Sequence, residues 1–262
     1  MFNLLHTYIP SPILIAIGPV SIYWYGLLLA AAVVLGYWLV GKLAERRQLS
    51  VETLQSLAVN LVIWGFIGAR LYHVLGEWRF YSGSLADILA VWKGGLAIHG
   101  AVIAGVIVLW QYARKHRLGF YQLADVFSLP LILGQALSRW GNYFNQELVG
   151  RPTSLPWGIP IDAARRPAGF EQFAYFHPAF LYESLWNAGV FIFLWFLFKK
   201  RNLAAGTVFW AYVGLYSLGR AGVELLRTDD VPLLWGARLP LAVSAVFIMV
   251  SAVMSWRVFK RA

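Results

Sequence analysis

The sequence predicts an all-α integral membrane protein with seven transmembrane helices, the N-terminus outside and the C-terminus cytoplasmic, and a small extracytoplasmic loop region at about 142–177. Three observations predict it. Of the 262 residues, 60% are hydrophobic and 13% charged, and mean hydropathy is positive, a balance foreign to soluble proteins. Seven apolar stretches are long enough to cross a hydrocarbon core of roughly 30 Å. Basic residues also concentrate in alternate loops, as they do when those loops are cytoplasmic. All seven spans are expected in one domain covering 1–262.

The first span, Val20–Leu43, follows nineteen residues without Lys or Arg; lacking a charged n-region, this start does not read as a cleavable signal peptide, and the span itself serves as insertion signal. It ends in Lys42, Arg46 and Arg47. The second, Gln55–Gly76, leads outward, and the third, Gly95–Tyr112, returns to Arg114, Lys115 and Arg117. The fourth, Tyr121–Arg139, leads into the longest outer loop. The fifth, Pro178–Phe198, ends at Lys199, Lys200 and Arg201; the sixth is Leu203–Leu225; the seventh, Leu239–Val258, ends among Arg257, Lys260 and Arg261. The other set of loops holds the fewer basic residues: Arg79, Lys93, Arg151, Arg165, Arg166, Arg227 and Arg238. The net charge of +10 is therefore mainly a topology signal and an attraction to anionic lipid, and no feature asks for nucleic acid. Ala101 with Gly105 has the spacing of a close helix contact. Without cysteine there are no disulfides, thiolate metal sites or Cys nucleophile, and the histidines lack ligand spacing, so neither metal nor other cofactor is expected.

A rise of 1.5 Å per residue converts position into depth. Tyr25 and His99 then lie ~8 Å below the outer interface, while Arg139 and Arg220 reach the same layer after climbing ~27 and ~25 Å from the cytoplasm. Arg70, His73, Tyr182 and Glu183 join them. The inner half offers only Asn60 and Asp125, so the site is expected to open from the outer leaflet. An arginine deep in a membrane helix costs on the order of 3 kcal/mol, and this chain has two. Tyr216, Arg220, Glu224 and Arg227 share one helix face, as do Gln135, Arg139 and Asn142. Arg220 with Glu224 alone would read as a self-neutralising pair. Two arginines and a histidine at one depth favour an anion site, since guanidinium matches phosphate, and the nearest anion is a lipid headgroup. His99 reads as a buried structural histidine or as a catalytic one; Tyr25, beside Trp24, also fits an aromatic belt.

The strongest local signal is the run from Ser138 to Gly150, where a cation, two amides and a carboxylate sit at the end of a membrane helix. Its Arg139, Gly141, Asn142, Asn145, Glu147 and Gly150 resemble the signature G-R-x-G-N-F-x-N-x-E-x-x-G of the prolipoprotein diacylglyceryl transferases, with Ser138 for the first Gly and Tyr143 for Phe. Tyr23-Trp24-Tyr25-Gly26, Gly94 to Gly100 around His99, His177 to Glu183, and Gly219-Arg220 with Glu224 and Arg227 are similar to further motifs of that family, in order along nearly the whole chain. Tyr23 stands where the family often has histidine.

The resemblance implies an enzyme of the bacterial inner membrane that moves the diacylglyceryl group of phosphatidylglycerol onto the lipobox cysteine thiol of a prolipoprotein, releasing glycerol 1-phosphate. It implies Arg139 and Arg220 at the phosphate, and Tyr25, Asn142, Glu147 and Gly150 around the glycerol headgroup. Glu224 would orient Arg220, with Tyr216, Asn145 and Glu183 in support. A free thiol of pKa ~8.5 needs a base or a positive field; His99 is the candidate base, and an orienting role for it remains the alternative. A transporter or binding protein for an anionic solute is the rival class. A seven-span photoreceptor or receptor is disfavoured, because Leu239–Val258 has no lysine for a retinal Schiff base.

Overall fold

In hydrocarbon a chain must satisfy its own backbone hydrogen bonds, so long apolar runs close into helices. The computed structural model describes residues 2–200 and 202–260, except the side chains of Phe2, Asn3, Leu4 and Lys93. Arg201, Arg261 and the Lys93 side chain, all used above to orient the chain, lie outside the described residues. In chain order, α1 (Phe2–Thr7) and a hairpin of β1 (Ile13–Ile17) and β2 (Val20–Tyr23) precede α2 (Trp24–Arg46). Next come α3 (Val51–Gly76), one-turn α4 (Trp78–Tyr81), α5 (Ile98–Lys115) and α6 (Phe120–Asn145). Two short strands, β3 (Ile159–Pro160) and β4 (Tyr175–Phe176), lead to α7 (Ala179–Phe198) and α8 (Thr207–Glu224). A last hairpin, β5 (Leu233–Leu234) and β6 (Ala237–Arg238), feeds α9 (Leu239–Phe259).

Helices α2, α3, α6, α7 and α9 are each long and apolar enough to cross a membrane. Helices α5 and α8 occupy the other two predicted places at 18 residues each, with more polar content. Outward-facing Leu, Val, Ile, Phe and Trp along these helices stay exposed, as lipid-facing surfaces require.

Two predicted boundaries are corrected. Val20–Tyr23 is extended: its β-branched Val and Ile pair with Ile13–Ile17, and the first long helix begins only at Trp24. The fourth helix does not stop at Arg139 but runs on to Asn145, so eight of the thirteen residues of the Ser138–Gly150 run are helical. It ends where Gln146 takes a left-handed φ of 54°, with Gln146 N–H donating to Tyr143 O and Glu147 N–H to Asn142 O, the pattern of a Schellman stop.

The chain forms two compact units, Met1–Gly36 with Ser128–Ala262, and Tyr37–Phe127. In the second unit α3 packs on α5, and the close approach falls at Gly68 and Gly100, where an added Cβ on either would strike the facing backbone. The close helix packing expected at Ala101 and Gly105 falls one residue earlier, at Gly100 and Ala104 against Gly68, while a Cβ on Gly105 would meet only Leu61, at 3.9 Å. In the first unit α8 packs against α7 and α9. Gly219 leaves room for the Trp186 indole, whose Nε1–H donates to Leu215 O at 2.8 Å. The segment after α6 has its own core of Leu5, Tyr143, Val149, Ile159, Ile161, Phe176, Phe180 and Leu181. Tyr143 stacks on Phe180 with ring centroids 4.7 Å apart, which ties the segment to the ends of α6 and α7.

Candidate functional site

The helical continuation of α6 past Arg139 builds the first half of the site. Arg139 and Asn142 lie one turn apart, and Arg139 Nη1 donates to Asn142 Oδ1 at 3.2 Å. The Asn142 amide then donates to Glu147 Oε1 at 2.7 Å, while Asn145 reaches the same oxygen at 3.4 Å. From α7, Glu183 places Oε1 2.6 Å from Arg139 Nη2; the Glu183 side chain is 3% exposed. This contact is an ion pair without hydrogen-bond alignment, and the buried Arg139 Nε has no partner among the described residues. One carboxylate thus balances Arg139 while a donor stays unspent.

The second half comes from the last turn of α8. Arg220 Nη1 lies 2.5 Å from Glu224 Oε2, one turn on, again an ion pair lacking hydrogen-bond alignment. No hydrogen bond from Arg220 is formed among the described residues. Tyr216, one turn earlier on the same face, is within electrostatic reach of Arg139, Arg220 and Glu183. Both arginines therefore bear on one phenol. A shallow dent is lined by Arg139, Asn142, Leu148, Ala179, Phe180, Glu183 and Arg227, so Arg227, past the end of α8, lines it rather than Arg220.

Two predicted residues act through the backbone. The Tyr25 ring lies so close to α6 that a Cβ on Gly141 would collide with it. Gly150 packs against His177 and the Leu226 carbonyl, and its N–H donates to His177 O at 3.0 Å; it joins the segment after α6 to the end of α8. Nearby, Trp157 Nε1–H donates to the Tyr182 hydroxyl at 2.8 Å, and that hydroxyl lies 3.1 Å from His177 Nδ1. Burial pushes the His177 imidazole below its ordinary pKa.

His99 belongs to the other unit. It is the second residue of α5 and exposed, with its ring 5.8 Å from that of Tyr72. The structure does not bear out a buried structural histidine. Arg70, expected in the polar layer, is spent on its own unit: Nε donates to Ile88 O at 2.8 Å, Nη1 to Gly94 O at 2.7 Å and Gly95 O at 2.9 Å, and Nη2 to Asp87 O at 2.6 Å. It clamps the loop that leads into α5. Sequence reasoning also read Asp229 not at all and Arg238 only as a loop charge, although both join the Glu224 cluster. Their partners lie across a hairpin, which i, i+4 spacing cannot reveal.

Among known families, the sequence model described as prolipoprotein diacylglyceryl transferase matches residues 12–257. A relative in Trichormus variabilis is 48% identical over 229 residues, covering 86% of this chain and 81% of the relative. One in Thermosynechococcus vestitus is 44% identical, covering 93% and 90%, and one in Gloeobacter violaceus is 41% identical, covering 96% and 94%. All three are named phosphatidylglycerol–prolipoprotein diacylglyceryl transferase.

Proposed function

The chain belongs to the prolipoprotein diacylglyceryl transferase family, and on that premise we propose that it transfers the diacylglyceryl group of phosphatidylglycerol to the lipobox cysteine thiol of prolipoproteins. The reaction sits in the bacterial inner membrane, in one seven-span domain over 1–262 with the N-terminus outside, and the site faces the outer leaflet. The observation that carries the reading is the pair of arginines around Tyr216, each ion-paired to one buried carboxylate and neither fully satisfied.

The substrate sulfur attacks the glyceryl carbon that bears the phosphate oxygen. A carbon–sulfur bond forms, the carbon–oxygen bond breaks, and glycerol 1-phosphate leaves with the electron pair. Negative charge grows on the departing phosphate, where Arg139 and Arg220 stabilise it more than in the ground state. Arg139 Nε, buried and without a hydrogen-bond partner among the described residues, adds its share of positive charge there. Asn142 holds Arg139 with one end of its amide and Glu147 with the other, so Glu147 is oriented toward the headgroup hydroxyls. Tyr25 and Gly150 shape the surrounding wall, and Asn145, Glu183, Tyr216 and Glu224 support these groups. The thiol proton passes to His99 or to solvent, with the arginine field favouring thiolate.

The test is incubation of purified protein with phosphatidylglycerol and a lipobox peptide. The expected products are glycerol 1-phosphate and a peptide heavier by one diacylglyceryl group. Reversible headgroup binding without either product would favour the anionic-solute reading instead.

A further inference from the structure

The Glu224 carboxylate, its side chain 0% exposed, faces more than Arg220. Arg238 Nε donates to Glu224 Oε1 at 2.7 Å, and Arg238 Nη2 donates to the Asp229 carbonyl at 2.9 Å. Asp229 in turn accepts two bonds from Arg227, at 2.6 and 2.9 Å, and Arg227 Nε lies 4.0 Å from Glu224 Oε2. Arg238 is the final residue of β6, paired with Leu233 across the hairpin, so the hairpin register delivers its guanidinium to the end of α8.

The charges do not cancel. Three guanidiniums meet two carboxylates, and those of Arg227 and Arg238 are held by oriented hydrogen bonds, whereas Arg220 has only its ion pair. We infer that Arg238 is a positioning residue for the transferase reaction: by sharing Glu224 it fixes that carboxylate and prevents it from fully neutralising Arg220. A Glu224 carboxylate turned wholly to Arg220 would offset more of that arginine's charge. A carboxylate divided between two keeps Arg220 aimed and leaves positive charge at its end. This inference rests on the function proposed above, and it assigns Arg238 no contact with substrate.

The experiment compares the full-length wild type with Arg238→Gln, Arg238→Lys, Glu224→Gln and the Arg238→Gln/Glu224→Gln double variant, scored as kcat and KM for phosphatidylglycerol per folded protein. Arg238→Gln should lower kcat about tenfold, less than the ~10²–10³ lost with a direct transition-state donor. KM should change little. Arg238→Lys, which keeps the charge on Glu224 but not the fork to Asp229, should recover part of the loss. In the Glu224→Gln background Arg238→Gln should add almost nothing, since residues acting through one group are not additive. A kcat for Arg238→Gln within twofold of wild type, or losses that multiply in the double variant, would overturn the inference. If Arg238→Gln does not fold, Arg238→Lys decides it: a kcat unchanged from wild type overturns the inference, and an intermediate kcat supports it. A wild type that forms no product would instead sink the transferase reading.

Discussion

Arg139 and Asn142 show how one residue spacing creates a functional group. A helix brings positions three apart together, and the amide then relays the Arg139 contact to Glu147 through a side-chain chain that loop flexibility would blur. Titration belongs to this scale too. Burial works to raise the Asp229 pKa, but the Arg227 hydrogen bond and charge, its own backbone N–H and Arg238 outweigh it, so the carboxyl sits below the ordinary range. His177 is lowered by burial. For both groups the unfolded chain holds more protons than the native one in the window below the unfolded pKa. The His177 contribution is complete above about pH 6.5 and is lost as pH falls toward its native pKa; that of Asp229 is complete above about pH 4 and is lost only in stronger acid. Melting temperature should therefore fall between pH 7 and 5, and His177→Gln should flatten that part of the curve. An unchanged slope would remove His177 as its cause.

Elements are positioned by close approaches. Ala at 219 would drive a methyl into the Trp186 indole at the α7–α8 contact. Gly219→Ala should cost ~1–3 kcal/mol, as overpacking does, and Trp186→Leu in the same chain should recover much of it. Equal melting temperatures for Gly219→Ala and wild type would show that the contact yields without strain. In the other unit Arg70 holds four carbonyls of the 87–95 segment, each charged bond being worth ~1.5–3 kcal/mol. Arg70→Ala should raise hydrogen exchange across 85–97 by tenfold or more while the middle of α5 stays protected; an unchanged exchange pattern would contradict the clamp. Helices were legible in the sequence because apolar length and basic flanks record them directly. The β1–β2 strands were not, since Val20–Tyr23 is as apolar as the helix it precedes. The extension of α6 was hidden as well: polar Asn142 and Asn145 suggested a loop, but their side chains are satisfied within the site, so the backbone stays helical.

At the scale of the molecule, Arg139, Asn142, Glu183, Arg220 and Glu224 could be found in sequence because each carries a charge or amide at the end of an apolar helix, and Glu147 because it fits the family motif. Arg238 and Asp229 could not, as loop charges are common and only the hairpin fold makes these two specific. The seven-span orientation is tested by reporter fusions after Arg47 and Arg117, both expected to be cytoplasmic; translocation of either would reject it. The transferase account is tested most directly by counting products. With phosphatidylglycerol and a lipobox peptide, the wild type should release one glycerol 1-phosphate for each thioether formed, and well-folded Arg139→Ala and Arg220→Ala variants should each lose ~10²-fold or more of that rate. Near-normal, one-to-one product formation by either alanine variant would contradict the two-arginine phosphate site.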